Sequence, residues 1–458
     1  DAVSATLGDR LKGEALFLRA YYYHNLVKLH GGVPLIEEAA TLEDDESSYE
    51  VPRGSFKESI DFIVSDLNTA AELLPIQAPE QGRATKGAAL ALKSRVLLYA
   101  ASDLFAENPS GMKETGYTSG SQQQRWQRAK DAAQAVMDMG TYSLYQGDYH
   151  DLWLSAGHDE VIWARHFTES ASEVHNVSLW NSPNGYASWG GDVPLQQHVD
   201  AYEMEDGSVF SWDNPEHAEN PYENRDPRFY ANILYNGADW RQRPTSTRDS
   251  DPKGVVQTGW YEVPGQDNLR PGLDTREGPV QDWNGTKTGY YMKKFVDRSV
   301  VPAFEQQYTP WIILRYGEVL LNYAEAAAEL GQSGEAVRVL NQIRARAGMP
   351  DVPPDGGEGR TLIERIRNER RIELAFEGHR YFDVRRWMIA PDVYENGKGV
   401  RITGRLDPNG ELLVDNRYDY EYEIINVDQR SWSQEAYFVP IPRAEMQRNP
   451  ELVQNPGY

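Results

Sequence analysis

The sequence predicts a mainly α protein: a tetratricopeptide-like scaffold of helix hairpins that carries a large, irregular, loop-rich insertion, with little β structure. Three observations predict it. Residues 11–140 and 311–388 are rich in Ala and Leu at helical spacing, residues 141–310 are irregular and rich in Trp, Gly, Pro and Asn, and residues 389–458 are loop-like with short β-type runs and a Pro-studded end. The expected organisation is an N-terminal helical part (1–140), a Trp-rich ligand-binding insertion (141–310), C-terminal tetratricopeptide-like helices (311–388) and an irregular segment packed on the scaffold (389–458).

The first helical material covers 14–30. The second, 55–74, places Phe56, Ile60, Ile63, Leu67 and Leu74 on one stripe, because spacings of three, four and seven return to the same face of a 3.6-residue helix. Residues 85–106 carry Ala88, Ala91, Leu92, Val96, Tyr99 and Ala100, and their expected partner is the helix of Trp126, Ala129, Ala133, Val136 and Met137. The clearest helix starts near Arg315: Leu320, Tyr323, Ala324, Ala327 and Leu330 share a face, while Glu318, Asn322, Glu325 and Glu329 line another. Gly331 ends it, since glycine accepts the left-handed conformation after a helix. Ala336, Val339, Leu340, Ile343 and Ala347 form the next helix, stopped by Gly348 and Pro350. Two helices so closely joined run antiparallel and pack, the hairpin that tetratricopeptide arrays repeat about every 34 residues. The last helix, 361–378, is charged, with Ile363, Ile366 and Leu374 on its inner side beside Arg370. That arginine predicts a nearby Glu partner, because an unpaired buried guanidinium is costly.

Composition narrows the function. The 458 residues carry 46 Lys and Arg against 70 Asp and Glu, a net charge of −24, which excludes general nucleic-acid binding because a polyphosphate is repelled. With 40% hydrophobic residues, 12 Trp and 27 Tyr, the chain has material for a substantial core, and disorder is excluded for most of it. No apolar run reaches the roughly 18–20 residues of a membrane-spanning helix. Cysteine is absent, so disulfides, thiolate metal sites and cysteine nucleophiles are excluded. Asp1 opens into polar residues, the expectation for a mature or trimmed product.

The insertion holds Trp153, Trp163, Trp180, Trp189, Trp212, Trp240, Trp260 and Trp283, eight of the twelve tryptophans, and helical repeats do not need them. An indole on a loop presents a flat apolar face to the C–H side of a sugar ring, while adjacent amides, carboxylates or guanidiniums bond the hydroxyls. Trp283 is the first candidate, on a Gly-flanked loop with Asp282 and Asn284 beside it as hydroxyl partners; Trp260, Trp180 and Trp189 are the further stacking surfaces. Trp153 and Trp163 read as structural because they flank the apolar stretch at Val161-Ile162, and His24 reads as a packing residue among Tyr21–Tyr23. The net charge favours a neutral glycan, although Arg225, Arg228, Arg241, Arg243 and Arg270 could form a positive local surface.

Searches for catalysis are negative. The sequence lacks a phosphate-binding Gly-rich Lys loop, a G-x-S-x-G elbow, an H-E-x-x-H helix and a dinucleotide fingerprint. Its nine His stand singly, so no metal and no cofactor are expected. Asp407-Pro408-Asn409-Gly410 opens like a calcium loop, lacks the later oxygen ligands, and reads as a turn. With 70 acids some pair will lie at the ~5–9 Å glycosidases use, but none is distinguished.

Several segments together resemble the SusD/RagB family, the surface glycan-binding lipoproteins of Bacteroidetes polysaccharide-utilisation systems. They are Gly13-Glu14-Ala15-Leu16-Phe17-Leu18-Arg19-Ala20-Tyr21-Tyr22-Tyr23 with Gly31-Gly32-Val33-Pro34-Leu35; Gly82-Arg83-Ala84-Thr85-Lys86-Gly87-Ala88-Ala89; and Leu314-Arg315-Tyr316-Gly317-Glu318 running into Asn322-Tyr323-Ala324-Glu325-Ala326. The most family-specific run is Glu369-Arg370-Arg371-Ile372-Glu373-Leu374-Ala375-Phe376-Glu377-Gly378-His379-Arg380-Tyr381-Phe382-Asp383, and Val439-Pro440-Ile441-Pro442 through Gln454-Asn455-Pro456-Gly457-Tyr458 closes the match. These are framework motifs, so no binding residue transfers by motif. The resemblance implies a non-enzymatic, surface-exposed outer-membrane protein, held by a lipidated N-terminal Cys missing from this chain. It also implies a partner, a SusC-like TonB-dependent transporter to which an oligo- or polysaccharide is passed. The rivals are an all-α glycoside hydrolase or lyase, and a tetratricopeptide adaptor that binds peptides; the long Trp-rich interruption argues against the adaptor.

Overall fold

The computed structural model describes residues 5–458 except 40, 42–44, 46–48, 169, 171–173, 252, 263–264, 266, 301–306, 358 and 406–419, so the Asp407–Gly410 turn lies outside the described residues. The helices that build the scaffold are α1 (Ala5–His30), α2 (Phe56–Leu73), α3 (Lys86–Ala101), α4 (Gln122–Met137), α5 (Tyr316–Glu329), α6 (Ser333–Arg346), α7 (Leu362–Glu373) and α8 (Arg380–Arg386). Their starts follow from local chemistry. Ser55 with Glu58, and Thr361 with Glu364, form reciprocal capping boxes that satisfy the free amides of α2 and α7, and Thr85 and Ser121 cap α3 and α4.

Neighbours in sequence pack in turn: α1 on α2, α2 on α3, α3 on α4. Helix α4 then packs on α5, which also holds α6 and α7. The two helical blocks thus share one apolar core, in which Leu92, Val96 and Ala133 lie with Leu320, Ala324 and Leu340. The second face of α5 is not a solvent face. Glu318 receives Arg95 Nε at 2.6 Å, Asn322 receives Arg370 Nη1 at 2.7 Å, and Glu325 receives Arg386 Nη2 and Trp387 Nε1 at 2.7 and 2.6 Å, all buried.

Two expectations are corrected around α7. It ends at Glu373 rather than 378, because the Glu373 carbonyl accepts from Arg315 Nη2, Tyr149 Oη and Lys294 Nζ at 2.8, 2.8 and 3.2 Å and so does not propagate the helix. Phe376 and Gly378 then take positive φ, 64° and 79°, and turn the chain into α8. The partner of Arg370 is consequently Asp383 of α8, at 2.9 Å, and not a glutamate.

The strands are β1 (Val161–Arg165), β2 (Ile233–Leu234), β3 (Trp260–Glu262), β4 (Arg270–Pro271), β5 (Tyr291–Met292), β6 (Trp311–Arg315), β7 (Gly397–Arg405) and β8 (Glu421–Asp428). Antiparallel pairing of β1 with β6, and of β2 with β5, ties the intervening chain to the scaffold. The sheet β4-β3-β7-β8 joins it to the C-terminal region, with β3 parallel to β7 and β7 antiparallel to β8. Four of the five arginines considered as a positive surface are instead buried: Arg228 bonds Asp226 and Glu373 at 2.7 and 3.0 Å, Arg243 bonds Asp274 and Asp251 at 2.7 and 2.8 Å, Arg225 donates to three backbone carbonyls, and Arg241 bonds the Val300 carbonyl.

Candidate functional site

A cleft of about 1170 Å³ opens between the 177–195 loop, the turn at 282–288, the start of β6, the α7–α8 corner and the end of β8. It is larger than the roughly 300–1,000 Å³ pocket of a single small ligand and suits a chain of several rings. Four indoles line it: Trp180, Trp189, Trp283 and Trp311, with 48%, 44%, 69% and 38% of their surfaces exposed. A folded chain ordinarily hides such area, so the cluster of open indoles is the candidate binding surface.

The backbone explains their placement. Trp180 lies in a helical turn, Val177–Asn181, and the returning chain bonds back onto it: Trp189 N donates to the Leu179 carbonyl and Gly191 N to the Trp180 carbonyl, at 2.9 and 2.6 Å. Trp283 sits on the 3₁₀ turn Asp282–Asn284, held by Asn284 N to the Gln281 carbonyl at 2.9 Å. The buried Tyr291 hydroxyl connects the two loops. It accepts from Thr286 N at 2.9 Å and lies 2.8 Å from Asn184 Oδ1 and 2.7 Å from the Asp274 carbonyl, while Asn184 Nδ2 donates to the Val280 carbonyl at 2.7 Å. Burial, then Asp274, push this phenol well above its ordinary value, so it stays a neutral hydrogen-bonding group. Trp311 begins β6, with its ring 5.0 Å from Phe295. The backbone segments that carry the indoles are therefore preorganised, which spares a ligand the entropy of ordering those loops.

Of the sequence candidates, Trp180, Trp189, Trp283 and Asn284 line this cleft together. Trp260 does not: as a strand residue of β3, paired with Thr403 and Pro271, it faces an adjoining hollow of about 270 Å³ with Arg276 and Lys287. Asp282 is not among the lining residues, and its carboxylate accepts from Trp283 N at 2.9 Å, supporting the turn. Trp153 is buried edge-on to Phe295 at 5.0 Å, and Trp163 packs on Phe17 at 4.8 Å while donating to the Gly82 carbonyl. His24 is buried against Tyr99, and that burial lowers its pKa well below the ordinary value. Sequence reasoning missed Trp311, Tyr381 and Tyr394 on the cleft wall. Trp311 had a signal, an indole opening the apolar β-type run Ile312-Ile313-Leu314 at the edge of the insertion.

The four carboxylates on the cleft, Asp192, Asp392, Glu395 and Asp428, are all exposed, and none is enclosed by apolar surface as a general acid would be. Among the described residues no group of three or more His, Asp or Glu is placed to hold a metal ion.

Comparison with known proteins decides the family: the SusD family model matches residues 159–458. The chain belongs to the SusD family. A second SusD-like model, described as starch-binding associating with outer membrane, matches residues 2–98. Among solved SusD-like structures, one from Bacteroides fragilis is 32% identical with a TM-score of 0.76, covering 100% of this chain and 81% of that one. A SusD-like carbohydrate-binding protein from the same organism is 25% identical with a TM-score of 0.75, covering 99% and 81%. A laminarin-binding SusD-like protein shares the fold at 22% identity, with a TM-score of 0.60, covering 100% and 80%. The SusD-like protein P25 of Formosa agariphila is 24% identical over 473 residues, which span 100% of this chain and 75% of the relative. The helix-dominated, tetratricopeptide-like arrangement is that of the SusD fold.

Proposed function

We propose that this SusD-family chain is a non-catalytic glycan-binding protein that captures an oligo- or polysaccharide in the indole-lined cleft and delivers it to a SusC-like TonB-dependent transporter. It works at the outer membrane, on the cell surface, held by an N-terminal lipid. The observation that carries the reading is the convergence of Trp180, Trp189, Trp283 and Trp311, from three separate segments, with open faces on one cleft. Asn284 beside them supplies a hydroxyl partner through its amide oxygen. The carbohydrate-binding and laminarin-binding SusD-like relatives support the ligand class, and the outer-membrane description of the N-terminal match supports the location.

Affinity is modest in this account, because sugar hydroxyls exchange water for protein almost evenly and the surplus comes from ring stacking. Isothermal titration against a panel of glycans tests it: saturable binding to at least one is expected, and binding to none would overturn it. Chromatography of the same glycans after long incubation separates binding from catalysis, with unchanged elution expected. Co-purification with the transporter tests delivery.

A further inference from the structure

The charge of the cleft opposes the charge of the chain. Overall the protein carries −24, yet the cleft is lined by six cations, Arg276, Lys287, Arg371, Arg380, Arg385 and Arg430, against four carboxylates. Arg430 and Asp428 cancel as a pair at 2.8 Å, and Glu395 is engaged by Lys398 at 3.5 Å, which leaves five cations facing Asp192 and Asp392.

Arg371 and Arg380, at the α7–α8 corner, are treated differently from the other enclosed arginines. Arg228, Arg243, Arg315 and Arg386 each bond carboxylates, and Arg225 is saturated by three backbone carbonyls. Arg371 is half-buried and donates to one group, the Gln197 carbonyl at 2.5 Å; Arg380 is half-buried and makes no hydrogen bond or ion pair among the described residues. The carboxylates that act on them are occupied elsewhere. Asp200 accepts from Gln196 and Trp212 at 2.7 and 3.1 Å, and Asp383 from Arg370 and Arg386 at 2.9 and 2.8 Å. Burial, then the adjacent Arg380, pull Arg371 down to about 9. His198, on the same wall, is driven well below its ordinary value by burial and then by Arg371, Arg380 and Lys294. Two guanidiniums on one cleft wall, partly dehydrated and without a counter-ion among the described residues, are unstable relative to the same pair with an anion between them, and their planar forks match a carboxylate or sulfate. The long-range repulsion of the acidic surface is screened beyond about 8–10 Å, so at contact the local cations decide.

We propose that the cleft selects an acidic glycan, seating a sugar carboxylate or sulfate ester against Arg371 and Arg380 while neighbouring rings stack on the indoles. This rests on the glycan-binding reading, names its ligand class, and replaces the neutral ligand favoured by net charge alone.

The test is titration calorimetry on the intact chain with matched pairs: oligogalacturonate against its methyl ester, a sulfated galactan oligosaccharide against its desulfated form, and laminari-oligosaccharide as a neutral reference. At least one acidic member is expected to bind tenfold or more tighter than its neutralised partner, with the ratio falling as salt is raised. The uronate and sulfate arms say which acid is seated. Arg380→Gln and, separately, Arg371→Gln should bring that ratio below threefold; Arg371→Lys, which keeps the charge without the fork, should retain part of it. Equal binding of acidic and neutral partners would overturn the inference and leave the glycan reading standing. Binding of no glycan in any arm would overturn both.

Discussion

Replacing Trp283 with Ala separates a binding indole from a structural one. The side chain is 69% exposed, and its turn is held by backbone and Asp282 bonds that an alanine keeps. If an indole of up to ~250 Å² keeps that fraction in water, ~170 Å² is open, and a sugar ring covering half of it removes ~85 Å². At ~25 cal/mol/Å² the stacking contributes ~2 kcal/mol, or ~30-fold in Kd. The assay is isothermal titration of wild type and Trp283→Ala with the same glycan, beside a thermal melt of each. The expected result is a loss of about 30-fold in affinity with a melting midpoint within about 2 °C of wild type. A fall in midpoint of many degrees would mark Trp283 as core, and an unchanged Kd would remove it from the site; either result refutes the reasoning.

Gly190, at φ +51°, lies against the Trp283 turn, and a Cβ there would sit 2.6 Å from the Asn284 carbonyl and 2.7 Å from the Tyr291 ring. Gly190→Ala should therefore lower stability by about 1–3 kcal/mol in urea denaturation and weaken glycan binding, because the turn must shift. Glu373 bonds Arg228 and Arg315 at 3.0 and 2.7 Å as well as Arg346, all buried, so Glu373→Gln should cost about 3–5 kcal/mol, against less than about 0.5 for the exposed Glu395→Gln. Burial, with Glu325 and Asp103 nearby, raises Glu329 from 4.5 to about 7. A carboxyl raised in the folded state stabilises while protonated, so wild type loses on the order of 3 kcal/mol as pH rises from about 4.5 through about 7. Glu329→Gln should be the more stable protein above about pH 8 and indistinguishable below about pH 4, as read from urea midpoints across that range.

The helices were legible because their cores are local patterns. Leu320, Ala324 and Ala327 repeat at the helix period, and Ser55 with Glu58, or Thr361 with Glu364, mark starts within four residues. What depends on distant partners was not. Glu318 and Glu325 resemble a solvent face until Arg95 and Arg386 arrive from other helices, and α7 stops at Glu373 because Arg315, Tyr149 and Lys294 take its carbonyl. The β7 strand takes β3 as a partner from more than a hundred residues earlier, so its local sequence reads as loop with short β-type runs. At the site, Trp180, Trp189 and Trp283 were nominated for their polar, Gly-rich surroundings, and they lie on a short helical turn, a loop and a 3₁₀ turn that open onto the cleft. Trp260 shares that texture, yet Trp260–Glu262 pairs into a sheet and carries the indole to a neighbouring hollow. Arg371 and Arg380 lie inside a framework motif whose other charges are paired, and only the fold distinguishes the two left without a carboxylate among the described residues.

A crystal of the intact chain grown with a bound oligosaccharide is the most direct measurement. Sugar rings are expected within van der Waals contact of at least two among Trp180, Trp189, Trp283 and Trp311. An ordered oligosaccharide bound elsewhere, with those four faces bare, would contradict the account.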